Sequence, residues 1–119
     1  MNYNPNDVPK FEFSGNEINI SGKSIPEDAD SVWRVFLRQL TPYIDKLNEV
    51  TINFKLDIFN TASSLYLTNI FEIISLYNTR CKININWYFF EEDEDMQFLG
   101  ETYQERNPKL HIKLLKRHD

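Results

Sequence analysis

The sequence has one cysteine, three glycines and no long apolar run. A lone Cys81 closes no internal disulfide and cannot build a thiolate zinc site by itself. A disulfide-free chain with a free thiol fits a reducing, cytoplasmic setting. With so few glycines, neither the phosphate-loop nor the dinucleotide-binding glycine pattern occurs. No stretch of roughly 20 apolar residues is present to span a bilayer, and the polar segment Met1 to Lys10 lacks the apolar core of a secretory signal. The reading is of a soluble chain with no membrane role. Basic charge is also scarce, at 13 Lys and Arg against 18 Asp and Glu, for a net charge of −5. Nucleic-acid binders bring a basic face to neutralise phosphates, so a nucleic-acid partner is not expected. The basic cluster Lys113, Lys116, Arg117 is short and reads as a solubilising tail.

What is present is enough for a core. The chain has 119 residues, 41% of them hydrophobic and 14% aromatic. A chain this long buries roughly 65% of its unfolded surface and folds as one domain without staples. Residues 1–9 read as a flexible lead-in, with the domain over 10–119. Phe11 and Phe13, then Ile18 and Ile20, alternate around Gly15-Asn16 and predict a β-hairpin. Ser24 and Glu27 have capping-box spacing before a helical pattern of Val32, Val35, Phe36, Leu40, Tyr43, Ile44 and Leu47, with Asp28 and Asp30 as alternative caps. Pro42 within that pattern predicts a kink or reset, with Thr41 as a new cap. Val50, Ile52, Phe54, Leu56 and Ile58 alternate with Thr51, Asn53, Lys55 and Asp57, predicting a half-buried strand. A helix over about 60–78 follows, with a stripe of Leu67, Ile70, Phe71, Ile74 and Tyr77. Ile83, Ile85, Trp87 and Phe89 predict the next strand. Met96, Leu99 and Tyr103 predict a third helix, and Leu110, Ile112 and Leu114 a last strand.

The order ββαβαβαβ requires parallel neighbours linked through helices. Two central strands are polar on one face, which a doubly wound sheet does not allow. The expectation is therefore an α/β two-layer sandwich. Its sheet is mixed and four- to five-stranded, with helices mainly on one face, as in anti-sigma-factor antagonists (the STAS fold).

The most informative stretch is Leu56-Asp57-Ile58-Phe59-Asn60-Thr61-Ala62-Ser63-Ser64. A strand runs out and a helix begins in a cluster of small hydroxylated residues. Asn60 or Thr61 can cap the helix. The amides and dipole of a helix start also favour a phosphate, and α/β proteins place sites at the carboxyl ends of parallel strands. The residues alone leave both readings open, an ordinary cap or a phosphate site.

Three blocks of sequence weigh on that choice. Gly22-Lys23-Ser24-Ile25-Pro26-Glu27-Asp28-Ala29 is similar to Gly-x-Ser-Tyr-Pro-Glu-Asn-Ala of the SiaC family of regulatory phosphoproteins. Phe59-Asn60-Thr61-Ala62-Ser63-Ser64 resembles that family's Tyr-Phe-Asn-Thr-Ser-Ser-Ser. Trp87-Tyr88, then Asp93-Glu94-Asp95-Met96 and Gly100-Glu101, resemble its Trp-Tyr, Asp-Glu-Asp-Met and Gly-Glu. The blocks occur in order across nearly the whole chain. Ile25, Asp28, Ala62 and Leu65 depart from the family's usual tyrosine, asparagine, serine and lysine, and none removes the acceptor hydroxyl.

The resemblance implies a STAS-like partner-switching regulator with no catalytic activity and no cofactor, a monomer when free. By resemblance, Thr61 is phosphorylated by a cognate Ser/Thr kinase and dephosphorylated by a metal-dependent Ser/Thr phosphatase. The unphosphorylated form binds, and can activate, a diguanylate cyclase, which places the chain in bacterial cyclic-di-GMP signalling. Asn60, Ala62, Ser63, Ser64, Tyr66, Ser24, Pro26 and Glu27 are the candidate partner-binding residues around it.

Two other functions compete. Five consecutive carboxylates, Glu91 to Asp95, suggest a small metal-binding or enzymatic domain. Consecutive side chains diverge, however, and carboxylates at a helix start are favoured by its dipole. A structural or oligomerisation role for the polar sheet face is the other. His111, His118 and Cys81 show no nucleophile–base–orienter pattern. His111 is expected on a polar strand face and Cys81 as a small buried filler. Trp87 shares a face with Ile83 and Ile85 and reads as core. Trp33 lies one step off its helix stripe and is open to either role. Tyr66 is the preferred interface aromatic.

Overall fold

A computed structural model describes residues 7–25 and 28–118. The elements are β1 (Pro9–Ser14), β2 (Glu17–Ser24), α1 (Ala29–Ile44), β3 (Glu49–Phe59), α2 (Thr61–Tyr77), β4 (Lys82–Phe90), α3 (Glu94–Arg106) and β5 (His111–Arg117). This is the expected ββαβαβαβ order. The five strands lie in the order β1-β2-β3-β4-β5. β1 and β2 form an antiparallel hairpin, and every later pairing is parallel. At the hairpin turn Gly15 has φ of 59° and Asn16 follows with negative φ. Glycine alone enters that region freely, and such turns match the strand twist. β1 opens at Pro9, the last residue of the expected lead-in; residues 1–6 lie outside the described residues.

Alternation puts Ile18, Ile20, Val50, Ile52, Phe54, Ile83, Ile85, Trp87 and Ile112 on one face of the sheet. They form one core cluster with the inner faces of the three helices, including Phe36, Leu40, Leu67, Ile70, Phe71, Met96 and Tyr103. The other face carries a row of amides in register, Asn19, Asn53 and Asn86. Asn86 Nδ2 donates to Asn53 Oδ1 at 2.8 Å, and Asn53 Nδ2 to Asn19 Oδ1 at 3.0 Å and Glu17 Oε1 at 2.8 Å. These bonds satisfy the buried Asn53 amide and its half-buried neighbours and lock the strand register, since a one-residue slip would turn them into the core. The result is a two-layer α/β sandwich with a mixed five-stranded sheet. No helix among the described residues is long and apolar enough to cross a membrane.

Four local expectations are corrected. Ser24 does not begin a capping box: it ends β2 and is buried, and α1 is capped by Asp28, which accepts from Ser31 N at 3.2 Å and Ser31 Oγ at 2.6 Å. Pro26 and Glu27 lie outside the described residues. Pro42 does not reset α1. It lies in the last turn, where it removes one amide donor, and the helix continues through it to Ile44. Thr41 is accordingly no cap; its hydroxyl lies 3.1 Å from the Leu37 carbonyl, to which it donates, and 3.0 Å from the Tyr77 hydroxyl. Ile58 is not in the core. The β2–β3 register jumps from Gly22↔Leu56 to Lys23↔Ile58, leaving Asp57 as an extra residue. That bulge reverses the alternation, so Ile58 is 51% exposed and Phe59 turns inward onto Trp87. Trp33, open between two roles, is fully buried.

Candidate functional site

Beyond the bulge β3 runs on to Phe59, one residue before the stretch 60–64. Asn60 is the N-cap of α2, with extended backbone, and its side chain accepts from Ser63 N at 2.9 Å. Its carbonyl accepts from Ser64 N at 3.1 Å and its amide donates to the Ser24 carbonyl at 3.0 Å. The strand-to-helix turn is thus fastened to the end of β2 as well as to its own helix.

Beneath the turn lies a closed hydroxyl network. Ser63 Oγ donates to the Ser24 carbonyl at 2.9 Å, Ser24 Oγ to Ser63 Oγ at 2.8 Å, and Trp33 Nε1 to Ser24 Oγ at 3.1 Å. Ser24, Ser63 and Trp33 are all fully buried. Each buried donor has an acceptor, as burial of polar groups demands. The network joins β2, α1 and α2 at one point. Ser64 Oγ donates to the Thr61 carbonyl at 2.8 Å, and the Tyr103 hydroxyl reaches from α3 to the Ser64 carbonyl at 3.0 Å.

Above this floor Thr61 stands exposed at the first position of α2, with Ala62 exposed beside it and Ser64 and Tyr66 half-buried. The structure therefore brings Ser24 together with Asn60, Thr61, Ala62, Ser63 and Ser64, but divides them. Thr61 and Ala62 face solvent, while Ser24 and Ser63 brace the turn from below. Within the hydroxyl-rich stretch 60–64, Thr61 is the exposed hydroxyl.

Tyr66 belongs to a second cluster at the start of α1. Arg34 Nη2 lies 2.6 Å from Asp30 Oδ2, and the Tyr66 phenol stands near the same carboxylate. The Arg34 hydrogen bond, then that of Tyr66, holds the Asp30 carboxyl below its usual range. The bond to Asp30, then burial, raises the Tyr66 phenol. α1 and α2 meet here and are bonded at Thr41–Tyr77. Between the two helices runs a groove of about 220 Å³ floored by Trp33, Leu37, Ile70 and Ile73. Asp30 and Arg34 form an i, i+4 pair on α1 that their spacing could have suggested, whereas Tyr66 joins them from α2, too far along the chain for a local signal.

The acidic run resolves into helix-start chemistry. Asp93 caps α3, accepting from Met96 N at 3.1 Å, and Glu94 and Asp95 occupy the first turn. Glu91 pairs with Lys116 at 3.4 Å. Among the described residues no group of three or more His, Cys, Asp or Glu side chains is placed to hold a metal ion. Cys81 is buried, which raises its thiol above the ordinary value, and His111 is exposed.

No curated protein matches the chain. A chain in the crystal structure of the diguanylate cyclase SiaD in complex with its activator SiaC, from Pseudomonas aeruginosa, superposes with a TM-score of 0.83 at 13% identity, covering 96% of each chain. Apo-SiaC from the same organism superposes with a TM-score of 0.75 at 12% identity, over 97% of this chain and 94% of that one. At such identity the likeness establishes the fold. The sequence model described as SiaC family regulatory phosphoprotein matches residues 6–117, nearly the whole chain. The chain therefore belongs to the SiaC family of regulatory phosphoproteins.

Proposed function

We propose that this protein is a phosphorylation-switched binding regulator whose acceptor is the Thr61 hydroxyl. A cognate Ser/Thr kinase adds the phosphate, a metal-dependent Ser/Thr phosphatase removes it, and the unphosphorylated form binds and activates a diguanylate cyclase. The chain works by being bound, not by catalysing a reaction. The observation that carries this reading is the exposure of Thr61 at the first position of a long helix, over a floor of buried, fully bonded hydroxyls. Membership of a phosphoprotein family supports it, and the fold shared with a chain of the SiaC–SiaD complex supports the cyclase as partner.

The physics gives the switch its asymmetry. A phosphothreonine adds about −1.5 to −2 charges and three acceptor oxygens. At the start of its own helix that charge is stabilised by about 0.3–1 kcal/mol. The buried network below is untouched, so the fold survives. Covered by a partner with no matching cation, the same charge costs about 2–5 kcal/mol, a roughly 30- to 5,000-fold loss of affinity. Ala62, Ser64 and Tyr66 supply accessible surface next to the acceptor. Asn60, Ser24 and Ser63 hold it in place.

Incubation with ATP and an extract of the source organism, followed by phosphopeptide mapping, tests the acceptor. One phosphate on Thr61, absent from Thr61→Ala, is expected. A phosphate placed elsewhere, with Thr61 unmodified, overturns the assignment.

A further inference from the structure

The basic cluster Lys113, Lys116 and Arg117 reads in the sequence as a solubilising tail, but the structure builds it into a strand. β5 stands at one end of the sheet order, so among the described residues one side of its backbone meets no further strand. Such an edge is a template for one more strand. β5 has three cations and no carboxylate among its 7 residues, in a chain of net charge −5. The opposite edge, β1, differs. It opens with Pro9, and its Lys10 and Glu12 cancel in an ion pair of 3.7 Å. Proline and paired charges blunt an edge without selecting a partner. One edge of the sheet is thus neutral and the other basic.

The groups along β5 are set in a definite order. Gln104 Nε2 of α3 donates to the Ile112 carbonyl at 2.9 Å, which puts that carbonyl on the free side of the strand, away from β4. Backbone groups alternate in direction along a strand, so Leu114 and Lys116 turn theirs the same way. From Lys113 to Lys116 the strand reads cation, apolar, apolar, cation. Lys113 and Lys116 are exposed, and Leu114 and Leu115 are half-buried. Leu114 packs on the helix side against Gly100, and Leu115 lies in register with Tyr88 on the open side. Lys116 meets Glu91 at 3.4 Å, but both side chains are more than half exposed, so the pair is weak and exchangeable. Arg117 is bonded to Asp57 at 3.0 Å and lies over the Phe90 ring, which ties the end of the strand to the sheet.

We infer that β5 is the docking edge for an extended acidic segment of a protein partner, which adds to the sheet as a sixth strand. Residues directly opposite on paired strands share a face. Carboxylates of the partner therefore meet Lys113 and Lys116, and aliphatic side chains meet Leu114 and Leu115. The motif is acid, apolar, apolar, acid, and it reads the same in either direction. Backbone bonds to Leu114 and Lys116 supply affinity, and the charges select the partner. The site goes beyond the reading of Thr61, because β4 lies between β5 and the strand whose end presents that hydroxyl. A second copy of this chain is the poorer occupant, since two β5 edges would bring like charges together. A nucleic acid would meet the cations but has no peptide groups to pair with the edge.

Fluorescence anisotropy with a labelled, serine-flanked Glu-Val-Val-Glu peptide tests this edge. The controls are the same residues in the order Glu-Val-Glu-Val, and Lys-Val-Val-Lys. The wild-type chain is expected to bind the first peptide at least tenfold more tightly than either control. Amides of Leu114 and Lys116 are expected to gain protection from hydrogen exchange when it is bound. The double variant Lys113→Glu, Lys116→Glu is expected to exchange its preference, losing the acidic peptide and taking Lys-Val-Val-Lys. Lys116→Pro, which deletes an edge amide donor, is expected to bind several-fold more weakly than Lys116→Gln, which deletes the charge alone. Circular dichroism checks that each variant is folded, and if Lys116→Pro is not, the exchange of preference decides. No binding of Glu-Val-Val-Glu, equal binding of the acidic and basic peptides, or protection gained away from β5 overturns the docking edge and leaves the Thr61 reading as it was. Tighter binding of an oligothymidylate than of the acidic peptide overturns it in favour of nucleic acid. Self-association in light scattering that Lys116→Pro abolishes overturns it in favour of a second copy.

Discussion

Thr61 is reachable because the residues around it are not. Ser63, two positions on, spends its hydroxyl on Ser24, and Asn60 spends its carboxamide on the Ser63 amide. Replacing Asn60 with alanine removes the cap and is expected to cost about 1 kcal/mol in urea unfolding. Ser63→Ala is expected to cost about 1–3 kcal/mol, because the buried Ser24 hydroxyl loses its acceptor. The loss should exceed that of Ser64→Ala, whose hydroxyl lies nearer solvent. Tyr103 gives a pH signature. Burial pushes its phenol up from 10.0 to about 12. Between those values the unfolded chain releases a proton that the folded chain keeps, so stability is full below pH 10 and falls as pH rises towards 12. In Tyr103→Phe that alkaline decline should be shallower, measured by denaturant unfolding across the range.

At the scale of elements, close approach decides where α3 lies. The Trp87 indole donates to the Met96 carbonyl at 2.9 Å, which draws α3 onto β4. A Cβ on Gly100 would stand 2.5 Å from Trp87 Cδ1 and 2.6 Å from Leu114 Cδ2. Gly100→Ala is therefore expected to destabilise by about 1–3 kcal/mol in urea, although alanine gains about 1 kcal/mol in helix propensity. Most elements were legible in the sequence, because period-two and period-3.6 patterns report burial directly. Ile83, Ile85, Trp87 and Phe89 could only be a half-buried strand. Two of the failures share one cause, partners far away in sequence. Ser24 has the spacing of a cap, but a hydroxyl 39 residues away claims it. Ile58 fits its strand's alternation until the bulge at Asp57, which is set by pairing with β2. The hydroxyl-rich start of α2 could be read locally. Which of its hydroxyls faces water was decided by Trp33 and the end of β2.

In the molecule as a whole, what keeps the chain folded is separate from the acceptor hydroxyl that faces solvent. The core and the buried serine network lie on one side of α2, and Thr61 on the other. Phosphorylation should therefore leave the thermal midpoint within a few degrees of the unmodified protein while changing its associations. The most direct measurement is the affinity of the same organism's diguanylate cyclase for the unphosphorylated chain and for the chain phosphorylated stoichiometrically on Thr61, with circular dichroism recorded on both. The account predicts superimposable spectra and at least a roughly 30-fold weaker complex for the phosphorylated form. Equal affinities from two equally folded chains would contradict it.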